Sequence, residues 1–125
     1  MYQLYLKLGS IAKDEFSDIV ASTRFIGGKT SLPNKLRIYF FDDSFLDVWL
    51  SRDGDYSYHW EHRAQRGLLH RWDNAPDHFE LNTFPEHFHD GSDKNVKEST
   101  LNHDPKKAIR YVLNFIKNKL KTFES

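Results

Sequence analysis

Six of the chain's seven histidines lie between positions 59 and 89: His59, His62, His70, His78, His87 and His89. Arg71, Asp73, Asp77, Glu80 and Glu86 stand among them, beside Trp60 and Trp72. An imidazole titrates near pH 6.5, so it can take up and give back a proton at neutral pH. Two imidazoles, or an imidazole and a carboxylate, can cleave an RNA phosphodiester without a metal. One deprotonates the 2′-hydroxyl, the other protonates the leaving oxygen, and an arginine stabilises charge on the phosphorane. Arg71, Asp73, His78, His87 and His89, with His59 or His70 from a neighbouring strand, supply those parts. The plainer reading is an Arg71–Asp73 ion pair that only orders a loop.

Two other chemistries use the same stretch. His87-x-His89 with His78 or Asp90 offers three ligands to a metal, but the spacing matches no standard zinc pattern and no cysteine supports it. The expectation is therefore a metal-free site without a cofactor. Trp49, Tyr56, Tyr58, Trp60 and Trp72 alternate along the chain, and exposed aromatics on a sheet can stack unpaired bases. Trp60, Trp72 and the nearby Asn74 are the expected substrate contacts, although large aromatics more often fill a core.

Such groups must be positioned by strands. Alternating apolar residues predict strands over 18–26, 36–41, 45–50, 56–62 and 68–72. Turn residues separate them, including Asp53-Gly54, whose glycine supplies the positive φ of a tight hairpin. On such strands Leu69, Arg71 and Asp73 share a face, as do His59 and Glu61. His87 and His89 share a side if their segment is extended. Residues 73–103 show no period and are expected as a long loop packed on the sheet through Phe79, Phe84 and Phe88, with a short edge strand over 95–101.

Helices are predicted at both ends. Leu4, Leu8, Ile11, Ala12 and Phe16 mark one helical face despite Gly9, which costs about 1 kcal/mol relative to alanine. Asp104 caps a second helix with Pro105 at its first position, and Ala108, Ile109, Val112, Leu113, Ile116 and Leu120 form its apolar stripe. Its other face carries lysines. The fold class is thus α+β: an antiparallel sheet of about five strands, an N-terminal and a C-terminal helix, and a histidine-rich loop. At 125 residues one domain is expected.

Composition removes several function classes. Without cysteine there is no disulfide, thiolate metal site or cysteine nucleophile. No apolar run approaches a membrane span, and the first residues lack the pattern of a signal peptide, so a cytoplasmic protein is expected. Net charge is zero, but residues 104–125 carry +4 and residues 1–103 carry −4, which leaves a local basic face. Gly28-Lys29-Thr30 is similar to the end of a phosphate-binding loop, but Thr23 stands where that motif needs a glycine.

Read together, residues 56–60 (Tyr-Ser-Tyr-His-Trp), 71–78 (Arg-Trp-Asp-Asn-Ala-Pro-Asp-His) and 84–89 (Phe-Pro-Glu-His-Phe-His) resemble the TumE-type toxins of prokaryotic toxin–antitoxin loci. The similarity runs from about Ile19 to the closing helix. It implies a small cytoplasmic toxin that a helix-turn-helix antitoxin binds and silences. It also marks Arg71, Asp73, Asn74, His78, His87 and His89 as functional. Asp77 departs from the histidine expected before His78, and Phe88 from the lysine common between the last two histidines. The expected partners are that antitoxin, RNA and a second copy of the chain as a homodimer; no membrane is expected. The leading function is a ribonuclease toxin. The competing one is a non-catalytic module that docks a partner through the basic helix and the histidine-rich loop.

Overall fold

Among the described residues, seven antiparallel strands form a meander, and two long helices cover one of its faces. The computed structural model describes residues 1–29 and 32–124. Helix α1 (Tyr2–Glu15) precedes strands β1 (Val20–Lys29), β2 (Leu32–Phe40), β3 (Phe45–Leu50) and β4 (Tyr56–His62). The one-turn helix α2 (Arg63–Arg66) leads to β5 (Leu68–Asp73), β6 (His87–Gly91), β7 (Val96–Glu98) and helix α3 (Pro105–Glu124). Each strand pairs with its neighbour in sequence. No helix among the described residues is long and apolar enough to cross a membrane.

The period of two along each strand separates the faces. Leu36, Ile38 and Phe40, then Leu46 and Val48, then Tyr58 and Trp60, then Trp72 are buried in one core with the helices. Tyr5, Leu8, Ile11 and Ala12 of α1 and Ala108, Ile109, Val112, Leu113 and Ile116 of α3 complete it. These are largely the stripes expected from helical spacing. The Tyr5 hydroxyl donates to the Asn34 carbonyl at 3.1 Å and accepts the Leu50 N–H at 3.0 Å. At the start of α3 the Asp104 carboxylate accepts the Lys106 N–H at 3.0 Å, as an N-cap should.

The sheet has seven strands rather than about five. The two additional ones lie in the stretch expected as a loop. In β6, His87 and His89 alternate with Phe88, and both histidines are buried. Both lie on the face away from the helices, and of the core-facing pair Phe88 and Asp90 only Phe88 is apolar, so no hydrophobic alternation betrays the strand. The edge strand expected over 95–101 is β7. The first strand, expected to end at position 26, runs on to Lys29 through Gly27 and Gly28, which take φ values of 68° and 64°. Thr30 of the dismissed phosphate-loop similarity lies outside the described residues.

His62 and His70 belong to the core. Arg66 donates to His62 Nδ1 at 3.0 Å, so the His62 hydrogen sits on Nε2, which donates to His70 Nδ1 at 2.8 Å. His70 Nε2–H then faces Asp90 at 3.4 Å, and Arg66 is itself paired with Asp42. His62 stacks on Trp60 with 3.6 Å between ring centres. Burial, and for His62 also the neighbouring His70 and Arg66, pushes both imidazoles well below their ordinary range. His70, one of two strand histidines considered for catalysis, is therefore on the covered face and structural.

Two outcomes follow. A Cβ added to the buried Gly9 would meet Thr23 Oγ1 at 3.7 Å and Leu36 Cδ1 at 3.8 Å, ordinary contacts. Gly9→Ala should thus stabilise the protein by roughly 0.5–1 kcal/mol in denaturant unfolding, and a loss would contradict the packing. Both buried imidazoles stay neutral in the folded chain while the unfolded chain protonates them below about pH 6.5, so the unfolded state binds more protons there. Stability should fall as pH drops from 6.5 towards the lowered folded values, by up to about 2 kcal/mol per imidazole at pH 5. Thermal melts across pH 7 to 5 should show the slope in the native chain and a smaller one in His70→Gln.

Candidate functional site

The face without helices carries two polar rows. Asp47, His59, Arg71 and His89 are successive partners across β3, β4, β5 and β6. Ser57, Asp73 and His87 form the next row. A one-residue slip in any pairing would send these side chains into the core, so the apolar face fixes the register of the site. The structure therefore brings Arg71, Asp73, His59, His87 and His89 together, as alternation requires.

Asp73 is the centre. It is 7% exposed, and its Oδ1 accepts the Ala75 N–H at 3.0 Å and lies 3.0 Å from His87 Nε2. Its Oδ2 accepts Arg71 Nε–H at 3.0 Å and lies 3.6 Å from His89 Nε2. Burial raises the Asp73 carboxyl, but His89, the Ala75 N–H, His87 and Arg71 together outweigh it and hold it at about 2. The other nitrogen of each ring is held by backbone: His87 Nδ1 is 3.0 Å from the Pro85 carbonyl and His89 Nδ1 is 3.1 Å from the Asp93 carbonyl.

Arg71 is equally committed. Besides Asp73 it donates to Asp93 Oδ1 at 2.8 Å and to His59 Nδ1 at 3.3 Å. His59 must then carry its hydrogen on Nε2, which donates to Glu61 at 3.1 Å. Burial lowers the His59 imidazole, with Arg71 and Arg63 adding to it against Glu61. The ion pair foreseen as the plainer reading is present, within a larger network.

His78 arrives from the segment between β5 and β6. Its ring meets the edges of His87 and His89, with centres 4.7 and 5.8 Å away. One nitrogen from each of the three rings lies within 4.8 Å of the others, so they could share a metal ion. The segment is tied down at both ends. Asn74 Oδ1 accepts the Tyr56 N–H at 2.9 Å while Asn74 Nδ2 donates to the Gly54 carbonyl at 2.9 Å. The Tyr56 hydroxyl donates to Glu86 at 2.9 Å.

A cleft of about 490 Å³ opens here, lined by Trp49, Ser57, Arg71, Asp73, Asp77, His87 and His89 among others. A larger cleft of about 540 Å³ beside the end of α3 holds Phe41, Phe123 and two paired charges, Arg66–Asp42 and Lys117–Asp18, and brings no comparable chemistry together. The basic face of α3 is partly neutralised in the same way, since Arg110 makes a two-pronged bond to Glu15 at 2.9 and 2.8 Å.

Three expectations need correction. Trp60 and Trp72 are 0% and 2% exposed in the core, on the face opposite Arg71, so they do not offer stacking surfaces. Asn74 uses both ends of its amide on backbone, which makes it a clamp rather than a substrate contact. Trp49 was available to the sequence and is the aromatic that fits: it is 37% exposed at the cleft, and alternation with Leu46 and Val48 already put it on the Asp47 side. Asp93, which holds both Arg71 and His89, had no pattern to reveal it.

The profile of one family, described as Toxin TumE, matches residues 9–120. No curated protein and no solved structure gives a significant match. The clamp can be tested directly. Asn74→Ala removes one acceptor and one donor, so it should cost roughly 1–3 kcal/mol in denaturant unfolding. A cost below a few tenths would show that the segment does not depend on it.

Proposed function

The chain belongs to the TumE toxin family, and we propose that this toxin acts in the cytoplasm by cleaving RNA at the cleft over Asp73. The observation that supports this reading is the convergence of Arg71, Asp73, His78, His87 and His89 on the open face of the sheet. In such a cleavage the 2′-hydroxyl loses its proton to a base as its oxygen bonds to phosphorus, and the bond from phosphorus to the 5′-oxygen breaks as an acid protonates that oxygen. Arg71 in the cleft wall supplies positive charge for the phosphorane. Trp49 offers a flat exposed face to a neighbouring base. His87 and His89 are 1% and 4% exposed, so His78 is the most accessible ring of the cluster. A helix-turn-helix antitoxin would silence the toxin by binding it, and a homodimer is compatible with this role.

A second reading is favoured by the structural bonding of Arg71 and Asn74 and by exposed apolar groups beside them. Phe79 is 81% and Phe84 is 42% exposed on the segment that carries His78. In that reading the segment docks a protein and the histidines only order it.

Purified toxin should shorten total RNA, and expression of His87→Gln/His89→Gln, shown to be folded by circular dichroism, should no longer arrest growth. Intact RNA together with tight antitoxin binding would favour the docking module. Growth arrest by the folded double variant would remove these histidines from the toxic activity.

A further inference from the structure

The histidines over Asp73 pose a hydrogen-bonding problem. A carbonyl oxygen only accepts, so His87 Nδ1 and His89 Nδ1, at 3.0 and 3.1 Å from Pro85 and Asp93 carbonyls, both carry hydrogen. A neutral ring of that form presents a bare lone pair at Nε2. Those Nε2 atoms face Asp73 oxygens at 3.0 and 3.6 Å, and a carboxylate also only accepts. The carboxylate supplies no hydrogen, which leaves both lone pairs free for a cation beside it. Protons on every ring would set three like charges within 4.8 Å of one another, beside Arg71. A single cation uses all the same lone pairs.

We propose that His78, His87 and His89 bind a divalent transition-metal ion, zinc by ligand type, beside the cleft, with Asp73 supplying the neutralising charge next to it. Neutral imidazole nitrogens suit zinc, and also cobalt, nickel or copper, while magnesium and calcium prefer oxygen. Backbone carbonyls on the far nitrogens are the arrangement that orients metal-bound histidine. In a tetrahedral site, with zinc about 2.0–2.1 Å from each nitrogen, neighbouring nitrogens stand roughly 3.4 Å apart. The observed upper limit of 4.8 Å would thus close by about 1.4 Å as the rings turn onto the ion. Three protein ligands leave a position open, the pattern of a zinc that acts on a substrate rather than one that only holds a fold. There it would polarise a phosphoryl oxygen. That catalytic meaning rests on the RNA-cleavage reading; binding of the ion does not.

The test uses untagged full-length protein, stripped with a chelator, dialysed and titrated with zinc chloride by calorimetry. One ion per chain is expected, with a raised melting temperature, and cobalt(II) should give a visible absorption band. His87→Gln and His89→Gln should each weaken binding at least about 100-fold, beyond the 10–100-fold typical of losing an outer partner. Because those buried variants can fail to fold, His78→Gln supplies a second check and should weaken binding at least about tenfold. His103→Gln, at the seventh histidine outside the cluster, should bind as the native chain does. Absence of saturable zinc binding, or native affinity in folded His78→Gln, overturns the site. In the RNA assay, loss of cleavage on stripping and recovery with zinc supports the catalytic role. Cleavage by stripped protein overturns that role. Zinc binding with RNA left intact supports the site and overturns the ribonuclease reading.

Discussion

The arrangement depends on one buried carboxylate. Asp73 ends β5, and from there it meets a guanidinium, a backbone N–H and two imidazoles. An ionised group out of water is costly unless it is surrounded by donors or cations. Arg71 and the Ala75 N–H supply donors, the two imidazoles fill its other sides, and each group ties down a different part of the site. Arg71 reaches across to His59 and Asp93, Ala75 starts the crossing segment, and His87 and His89 lock β6 alongside. Replacing this carboxylate would therefore loosen three elements together.

The sheet keeps two kinds of histidine apart. On the covered face, His62 and His70 stand in a chain from Arg66 to Asp90 in which each hydrogen has an acceptor. Nothing there is left over for a ligand. On the open face, the backbone satisfies one nitrogen of His87 and of His89 and turns the other towards Asp73. The same residue type is thus a saturated core group on one side and a presented lone pair on the other. Six histidines in 31 residues would mislead if they were counted as one cluster.

Much of this was legible in the chain. Alternation in 45–50 and 56–62 gave β3 and β4 to the residue, because the apolar side of each strand is unbroken. It also placed Arg71 with Asp73 and His59 with Glu61. Asp104-Pro105 and the stripe from Ala108 marked α3. The strand at His87 was hidden because its core side offers one apolar residue, Phe88, beside the charged Asp90, so hydrophobicity does not alternate there. Trp60 and Trp72 were ambiguous because a strand period says which residues share a face, not which face the helices cover. The tautomers are set by Pro85 and Asp93 carbonyls, and no side-chain pattern encodes those.

The most direct measurement is long-range proton–nitrogen NMR of the imidazole rings, with and without zinc. The account predicts hydrogen on Nδ1 of His87 and His89 and on Nε2 of His62 and His70. Zinc should then shift the Nε2 signals of His87 and His89 and leave His62 and His70 unchanged. If His87 and His89 instead carry hydrogen on Nε2 alone, or if zinc moves the covered pair rather than the open one, the division of roles around Asp73 is wrong.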